Sequence, residues 1–183
     1  MIDLINKALP NTVSVGGKVF SIYTDFRVWM RFCQEYETWD KTGVFDFTYL
    51  FKNEIPEFEI EADYNAIFDF AYPKNVIPRG ESSDLRTLDY VIDSDYIYAA
   101  FIQQYGIDLM DIEEFHWHKF RALLNSLCDT TKLTEIMGYR CYDESSEKNQ
   151  QEMYRKLRSS WELPQTETAE EKEMEDKFNE MFG

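Results

Sequence analysis

The chain has 183 residues, 44% of them hydrophobic and 16% aromatic, which is enough for one domain with a buried core and excludes a wholly disordered chain. Its 35 acidic residues against 19 Lys and Arg give a formal net charge of −16, which makes nucleic acids and membrane surfaces poor partners. No apolar stretch approaches the roughly 18 residues of a membrane span, and no secretory segment is visible at the start. We therefore expect a cytosolic protein whose partners are other proteins.

The first predicted element is a β-hairpin at about residues 12–23. Two β-rich runs, TVSV and KVFSI, flank Gly16 and Gly17. Glycine readily takes the positive φ angles that a two-residue hairpin turn requires. Because a single hairpin is marginally stable, it should pack on the helices that follow or pair with a strand of another subunit.

Three helices are predicted between the hairpin and residue 73. The first spans Thr24–Thr38, where Thr-Asp can cap the helix and apolar residues recur at helical spacing. The second, Phe45–Lys52, is aromatic-rich and ambiguous by propensity, but its length and the following Pro56 favour a short helix. The third, Glu57–Tyr72, begins with acidic residues and ends before Pro73.

A surface loop and two further helices are predicted next. Pro73–Arg86 contains two prolines, a glycine and two serines, and it has little periodic apolar content. Asp93–Gln104 has an Asp-Ser-Asp cap and is closed by Gly106. Asp108–Leu127 shows the longest apolar stripe of the chain, so we expect it to be the central core helix.

Two more helices complete the predicted domain. Thr130 or Thr131 can cap a short helix that runs through Met137 and is stopped at Gly138. A final helix is predicted over Glu144–Trp161. The sequence thus predicts a single, mainly α-helical domain at residues 1–163 with a small N-terminal β-hairpin.

Residues 164–183 form an acidic C-terminal tail. Composition favours a solvated, flexible extension. However, Met174, Phe178 and Met181 recur at i, i+4 and i+7, so one amphipathic turn could form against a partner. These three residues are the candidate protein-binding residues. A solubilising extension, a binding segment and a tail that masks the protein's own partner groove all remain open.

The His116-Trp-His118 cluster, preceded by Glu113 and Glu114, is the one pattern that could suggest a metal site. Residues i and i+2 lie on different faces of a helix, and the cluster is not HExxH. We expect His116 to lie in the core and His118 to lie on the surface, paired with Glu114. Neither a metal ion nor another cofactor is expected.

Catalytic residues are not predicted either. Cys33, Cys128 and Cys141 are odd in number and lack CxxC spacing, so neither a disulfide framework nor a zinc site is indicated. Reduced, buried thiols are expected, and nothing in the sequence marks an activated thiolate. The many carboxylates show no converging pair. We therefore expect that the protein is not an enzyme.

Four stretches of the chain form a pattern: the hairpin leading into YTDFRVW at 23–29, DYIYAAFIQQYGIDL at 95–109, HWHKFRALLNSL at 116–127 and TKLTEIMGYR at 131–140. In this order and spacing they resemble the bacteriophage gene-product-fifteen family, found in long-tailed phages of Gram-positive hosts. The resemblance covers most of the chain to about Trp161. The family pattern often has tryptophan where this chain has His118, which weighs against an essential ligand there.

The resemblance implies a role in phage tail assembly. Members of the family look like tail assembly chaperones of siphoviruses, which hold the tape measure protein in the host cell cytoplasm until tube subunits polymerise around it. The implied partners are the tape measure protein and, as a further candidate, the tail tube protein, with self-association plausible. One alternative is a structural tail or connector component that stays in the virion. The other, from a different class, is a small metal-dependent regulator or enzyme based on His116 and His118.

Overall fold

The computed structural model describes most of the chain up to residue 164. The predicted tail, with Met174, Phe178 and Met181, lies outside the described residues, as does most of the predicted loop after Pro73. The described ranges are 2–39, 45–58, 61–73, 86–141 and 148–164.

The described residues form six α-helices and one two-stranded antiparallel hairpin, so the prediction of a mainly helical fold with an N-terminal hairpin is confirmed. A short 3₁₀ turn at Thr48–Leu50 lies between the first two helices. None of the helices described is long and apolar enough to cross a membrane. The elements are β1 Thr12–Val15, β2 Lys18–Ser21, α1 Phe26–Thr38, α2 Glu61–Ala71, α3 Ser94–Tyr105, α4 Trp117–Leu124, α5 Lys132–Arg140 and α6 Lys148–Trp161.

The hairpin turns at Gly16 and Gly17, whose φ angles of 56° and 76° are the positive values that the sequence predicted. Val13 and Val15 are buried, and β1 packs against α2. This contact supplies the support that an isolated hairpin lacks.

The predicted helix at Phe45–Lys52 is wrong. Only the Thr48–Leu50 turn is helical, and Phe51 forms an antiparallel bridge with Ile22. The N–H of Tyr23 donates to Leu50 O at 2.8 Å. Pairing with the end of β2 therefore overrides a helical preference that was weak in this aromatic segment.

The predicted long helix at Asp108–Leu127 is also wrong, because helix α4 has only eight residues. Backbone carbonyl groups before α4 instead accept hydrogen bonds from residues of α1. The guanidinium of Arg27 donates to Leu109 O and to Ile112 O, each at 2.8 Å, and Phe26 N donates to Phe115 O at 2.8 Å. These long-range bonds hold a loop where the sequence pattern indicated a helix.

The start of helix α5 decides between the two predicted caps, and its end corrects the predicted C-terminal boundary. Thr131 is the N-cap, since its hydroxyl accepts from the N–H of Thr134 at 3.3 Å. The helix does not stop at Gly138 but continues to Arg140, whose side chain is buried. The contacts of Arg140 in the core stabilise this last turn, and a glycine within a helix costs only about 1 kcal/mol.

A hydrophobic core joins the hairpin with α1 to α5. Phe120 lies at its centre, stacked on Phe26 with ring centroids 4.8 Å apart and on Phe101 at 5.1 Å. Trp29 is fully buried, and its indole N–H donates to Tyr23 O at 2.7 Å. Aromatic rings of this size bury large apolar areas, so this layer fixes the hairpin-helix arrangement.

Candidate protein-binding site

Structural roles account for both histidines of the predicted cluster. His116 is the N-cap of α4: its Nδ1 accepts from His118 N at 3.1 Å, and its Nε2 donates to Pro10 O at 2.8 Å. His118 is buried, so the predicted surface position paired with Glu114 is wrong. Its Nε2 donates to Phe70 O at 2.8 Å.

The two imidazole rings also lie closer together than predicted. Their centroids are 5.2 Å apart, because His116 precedes the helix and does not follow helical geometry. Burial lowers the pKa of His118 to about 4 and lowers that of His116 as well. Both rings are therefore neutral at pH 7. No group of three or more potential metal ligands occurs within the part of the chain that the structure describes.

The three thiols do not share one environment. Cys33 is fully buried on α1, and burial raises its pKa to about 12 against the opposing effect of a hydrogen bond with Tyr72. Cys128 and Cys141 are exposed, which corrects the prediction of buried thiols. The Cys33 thiol is a core group without nucleophilic character at neutral pH.

Residues of two motif stretches meet at the start of α1. Asp25 caps the helix by accepting from Arg27 N at 3.0 Å, and its other oxygen accepts from Phe115 N at 3.0 Å. In return, Trp117 N donates to Thr24 O at 2.7 Å. The motif residues thus join α1 to α4, which is a fold-defining role.

An aromatic groove lies at the other end of α1, between its C-terminal end, the 45–58 segment and α2. It encloses a volume of about 830 Å³, within the range of roughly 300–1,000 Å³ that is usual for binding pockets. The side chains of Ile55 and Tyr64 are 54% and 40% exposed. The remaining aromatic side chains of the groove are partly buried. The seven rings that line the groove belong to Tyr36, Trp39, Phe45, Phe47, Phe58, Tyr64 and Phe68.

Ring-to-ring contacts give the groove a continuous aromatic wall. Phe47 lies edge-on to Phe58 at 5.0 Å, and Phe58 contacts Tyr64 at 4.8 Å. At the other end, Tyr36 contacts Phe68 at 4.7 Å and Trp39 at 6.2 Å. Aromatic side chains with a partly exposed face are enriched at protein interfaces because they offer large apolar area with few rotatable bonds.

A smaller polar pocket adjoins the groove across a ridge formed by the exposed side chain of Ile55, and both Ile55 and the buried Pro56 line the two. It has a volume of about 350 Å³. Its charged residues are three carboxylates and one amine, which belong to Glu54, Glu57, Asp63 and Lys18. Asp63 is buried and accepts from Gly16 N at 3.0 Å, so it also fixes the hairpin turn.

Sequence reasoning missed this site. The groove residues are spread over about thirty positions of the chain and converge only when α1 and α2 pack together. The available signal was the aromatic density of FDFTYLF followed by Pro56, which was interpreted as a helix. The predicted binding residues Met174, Phe178 and Met181 lie outside the described residues.

The hairpin, the six helices and the exposed aromatic groove define a small, mainly helical protein with an accessible apolar surface. A family model described as bacteriophage Gp15 protein matches residues 5–163. The chain therefore belongs to the bacteriophage Gp15 family, as the sequence motifs indicated, and this family suggests a phage structural or tail-related protein. No curated protein and no solved structure matches the chain.

Proposed function

We propose that this protein is a phage tail assembly chaperone that binds the tape measure protein in the host cell cytoplasm. Membership of the Gp15 family supports a tail-related role. The aromatic groove is the observation that carries the step to binding, because a partly exposed apolar surface of this kind suits the apolar face of an extended helical client.

The environments of the two histidines and of Cys33 support a binding role. Both histidines of the cluster donate to backbone carbonyl oxygens, and the one buried thiol has a raised pKa. The net charge of −16 disfavours nucleic acid as a partner. Many weak apolar contacts would hold the client and still allow polymerising tube subunits to displace it. Several copies along one client would raise avidity.

The test is co-expression with the tape measure protein of the same phage, followed by size-exclusion chromatography with light scattering. We expect the tape measure protein to become soluble and to co-elute with several copies of this chain. An insoluble and unbound tape measure protein would contradict the proposal.

A structural component that stays in the virion is the second candidate, because the family suggests a phage structural or tail-related protein. Mass spectrometry of purified particles separates the two. A chaperone is absent from them, whereas a tail or connector component is present at a fixed copy number.

A further inference from the structure

The aromatic groove and the polar pocket form one composite surface, because Ile55 and Pro56 belong to both. A partner segment that crosses this ridge meets aromatic rings on one side and carboxylates on the other. The composite surface therefore presents an apolar and an acidic environment within reach of one short segment.

We propose that the groove binds an amphipathic segment of the client whose apolar anchors are flanked by Lys or Arg, and that Glu54 and Glu57 select the basic flank. This inference rests on the proposed chaperone function and specifies the client chemistry. The anchors enter the groove between Tyr64 and the end of α1, and the basic side chain crosses Ile55 into the polar pocket.

The charges of the pocket support this selection. Glu54 and Glu57 are exposed, and neither forms an ion pair with a described residue. Asp46 adds a further carboxylate on the groove side, where hydrogen bonds from Thr48 lower its pKa. In the polar pocket, the exposed carboxylates of Glu54 and Glu57 outnumber the single amine of Lys18. A cationic side chain is attracted there, whereas an anionic one is repelled.

The same charges disfavour two other occupants. A second copy of the chain brings a net charge of −16 to the site, and the tail at 165–183 carries seven acidic residues against two basic ones. Both therefore carry an excess of the same charge sign as Glu54 and Glu57, which disfavours either of them as the occupant. A basic segment of a different protein avoids this repulsion.

The experiment probes an array of short overlapping peptides that cover the tape measure protein of the same phage. Wild-type protein is compared with two double variants, Ile55→Asp/Tyr64→Ala in the groove and Glu54→Gln/Glu57→Gln in the pocket. All four side chains are at least partly exposed, so the variants are expected to fold, which circular dichroism checks.

Matched controls lie elsewhere on the described surface. Met153→Asp changes a side chain that is 55% exposed on α6. Asp111→Asn/Glu113→Gln neutralises two exposed carboxylates outside the pocket. Both controls should bind the peptides as wild type does.

We expect the strongest peptides to combine apolar residues at i, i+3 or i+4, and i+7 with a flanking Lys or Arg. The groove variant should bind them at least about tenfold more weakly, as for a central interface anchor. The pocket variant should bind them roughly twofold to tenfold more weakly, and the difference should shrink in high salt.

Several results would overturn the inference. They are peptide binding without basic bias, binding unchanged in the groove variant, and no peptide bound by wild type. A wild-type dimer that Ile55→Asp dissociates would assign the groove to a second copy. Binding seen only after removal of residues 165–183 would assign it to the tail. If the groove variant still solubilises the full-length tape measure protein as wild type does, the chaperone function stands and only the assignment of client binding to the groove fails.

Discussion

Replacing Arg140 by leucine tests whether one buried ion pair holds α3, α5 and the end of α6 together. The guanidinium donates to the two carboxylate oxygens of Asp93 at 2.6 and 2.9 Å, and the side chains are only 5% and 1% exposed. It also donates to Thr87 O at 2.9 Å and to Trp161 O at 2.7 Å. Leucine removes all of these donors and leaves the carboxylate of Asp93 buried without its ionic partner.

The expected cost is about 3–5 kcal/mol in the free energy of unfolding, as for other buried pairs that lose one partner. That is a large share of the roughly 5–15 kcal/mol that stabilises a typical domain. Adding Asp93→Asn to Arg140→Leu removes the buried charge and keeps an oxygen that can accept from Asp89 N, which lies at 2.9 Å. The free energy of unfolding of the double variant should therefore be roughly 1–3 kcal/mol higher than the sum of the two single-variant effects predicts.

Urea unfolding at pH 7, followed by tryptophan fluorescence, gives these free energies from the midpoint and the slope. Lys156→Leu is the control, because it breaks the Lys156–Glu152 pair, whose side chains are 75% and 83% exposed. It should leave the midpoint unchanged. A loss below about 1 kcal/mol for Arg140→Leu, or strictly additive effects in the double variant, would refute the role of this pair.

Three further predictions concern stability, thiol reactivity and loop order. Burial lowers the pKa of His118 from 6.5 to about 4. Between these two pH values the unfolded chain therefore binds a proton at this residue that the folded chain does not. Unfolding free energy should therefore fall by about 2–3 kcal/mol as pH drops from 6.5 to 4, and His118→Gln should reduce this dependence in urea titrations. Iodoacetamide should modify Cys128 and Cys141 in the folded protein and Cys33 only in urea, as read by mass spectrometry. Arg27→Ala should cost about 0.5–1.5 kcal/mol and speed amide hydrogen exchange in the loop before α4, because two carbonyl oxygens exchange their guanidinium donor for water.

Opposite outcomes would contradict each of these expectations. The same pH dependence in His118→Gln would assign the titration to other groups. Rapid alkylation of Cys33 under native conditions would contradict its burial. Unchanged exchange in the loop after Arg27→Ala would show that the loop is held by its other contacts.

Local signals were sufficient to predict the hairpin and several helices. Gly16-Gly17 encodes its turn within two residues, and α3 ends at Gly106, which has a φ of 63° and lies one residue after the helix, as its sequence position indicated. Helix α1 begins after Asp25, whose side chain caps it. In each case the residues that determine the boundary are neighbours in the chain.

The failures arise where distant residues decide. Phe51 pairs with Ile22, and Arg27 binds carbonyl oxygens more than eighty positions away. No periodicity within either segment records such a contact. The surface position predicted for His118 is wrong because the predicted helix begins too early in the chain. Its apolar stripe therefore lies on a different face from the buried face of α4, which includes His118. The aromatic groove was missed for the related reason that its walls come from separate elements.

The bonds between the start of α1 and the loop before α4 also set the order of events during synthesis. Phe26 and Phe115 form a backbone hydrogen bond, and Phe26 stacks on Phe120. At about 5–20 residues per second, the ribosome needs roughly 5–20 s to add the intervening residues. Until then Phe26 lacks these partners, so the emerging N-terminal segment keeps this apolar side chain without its final packing. Nascent chains arrested before and after residue 120 should differ sharply in protease resistance.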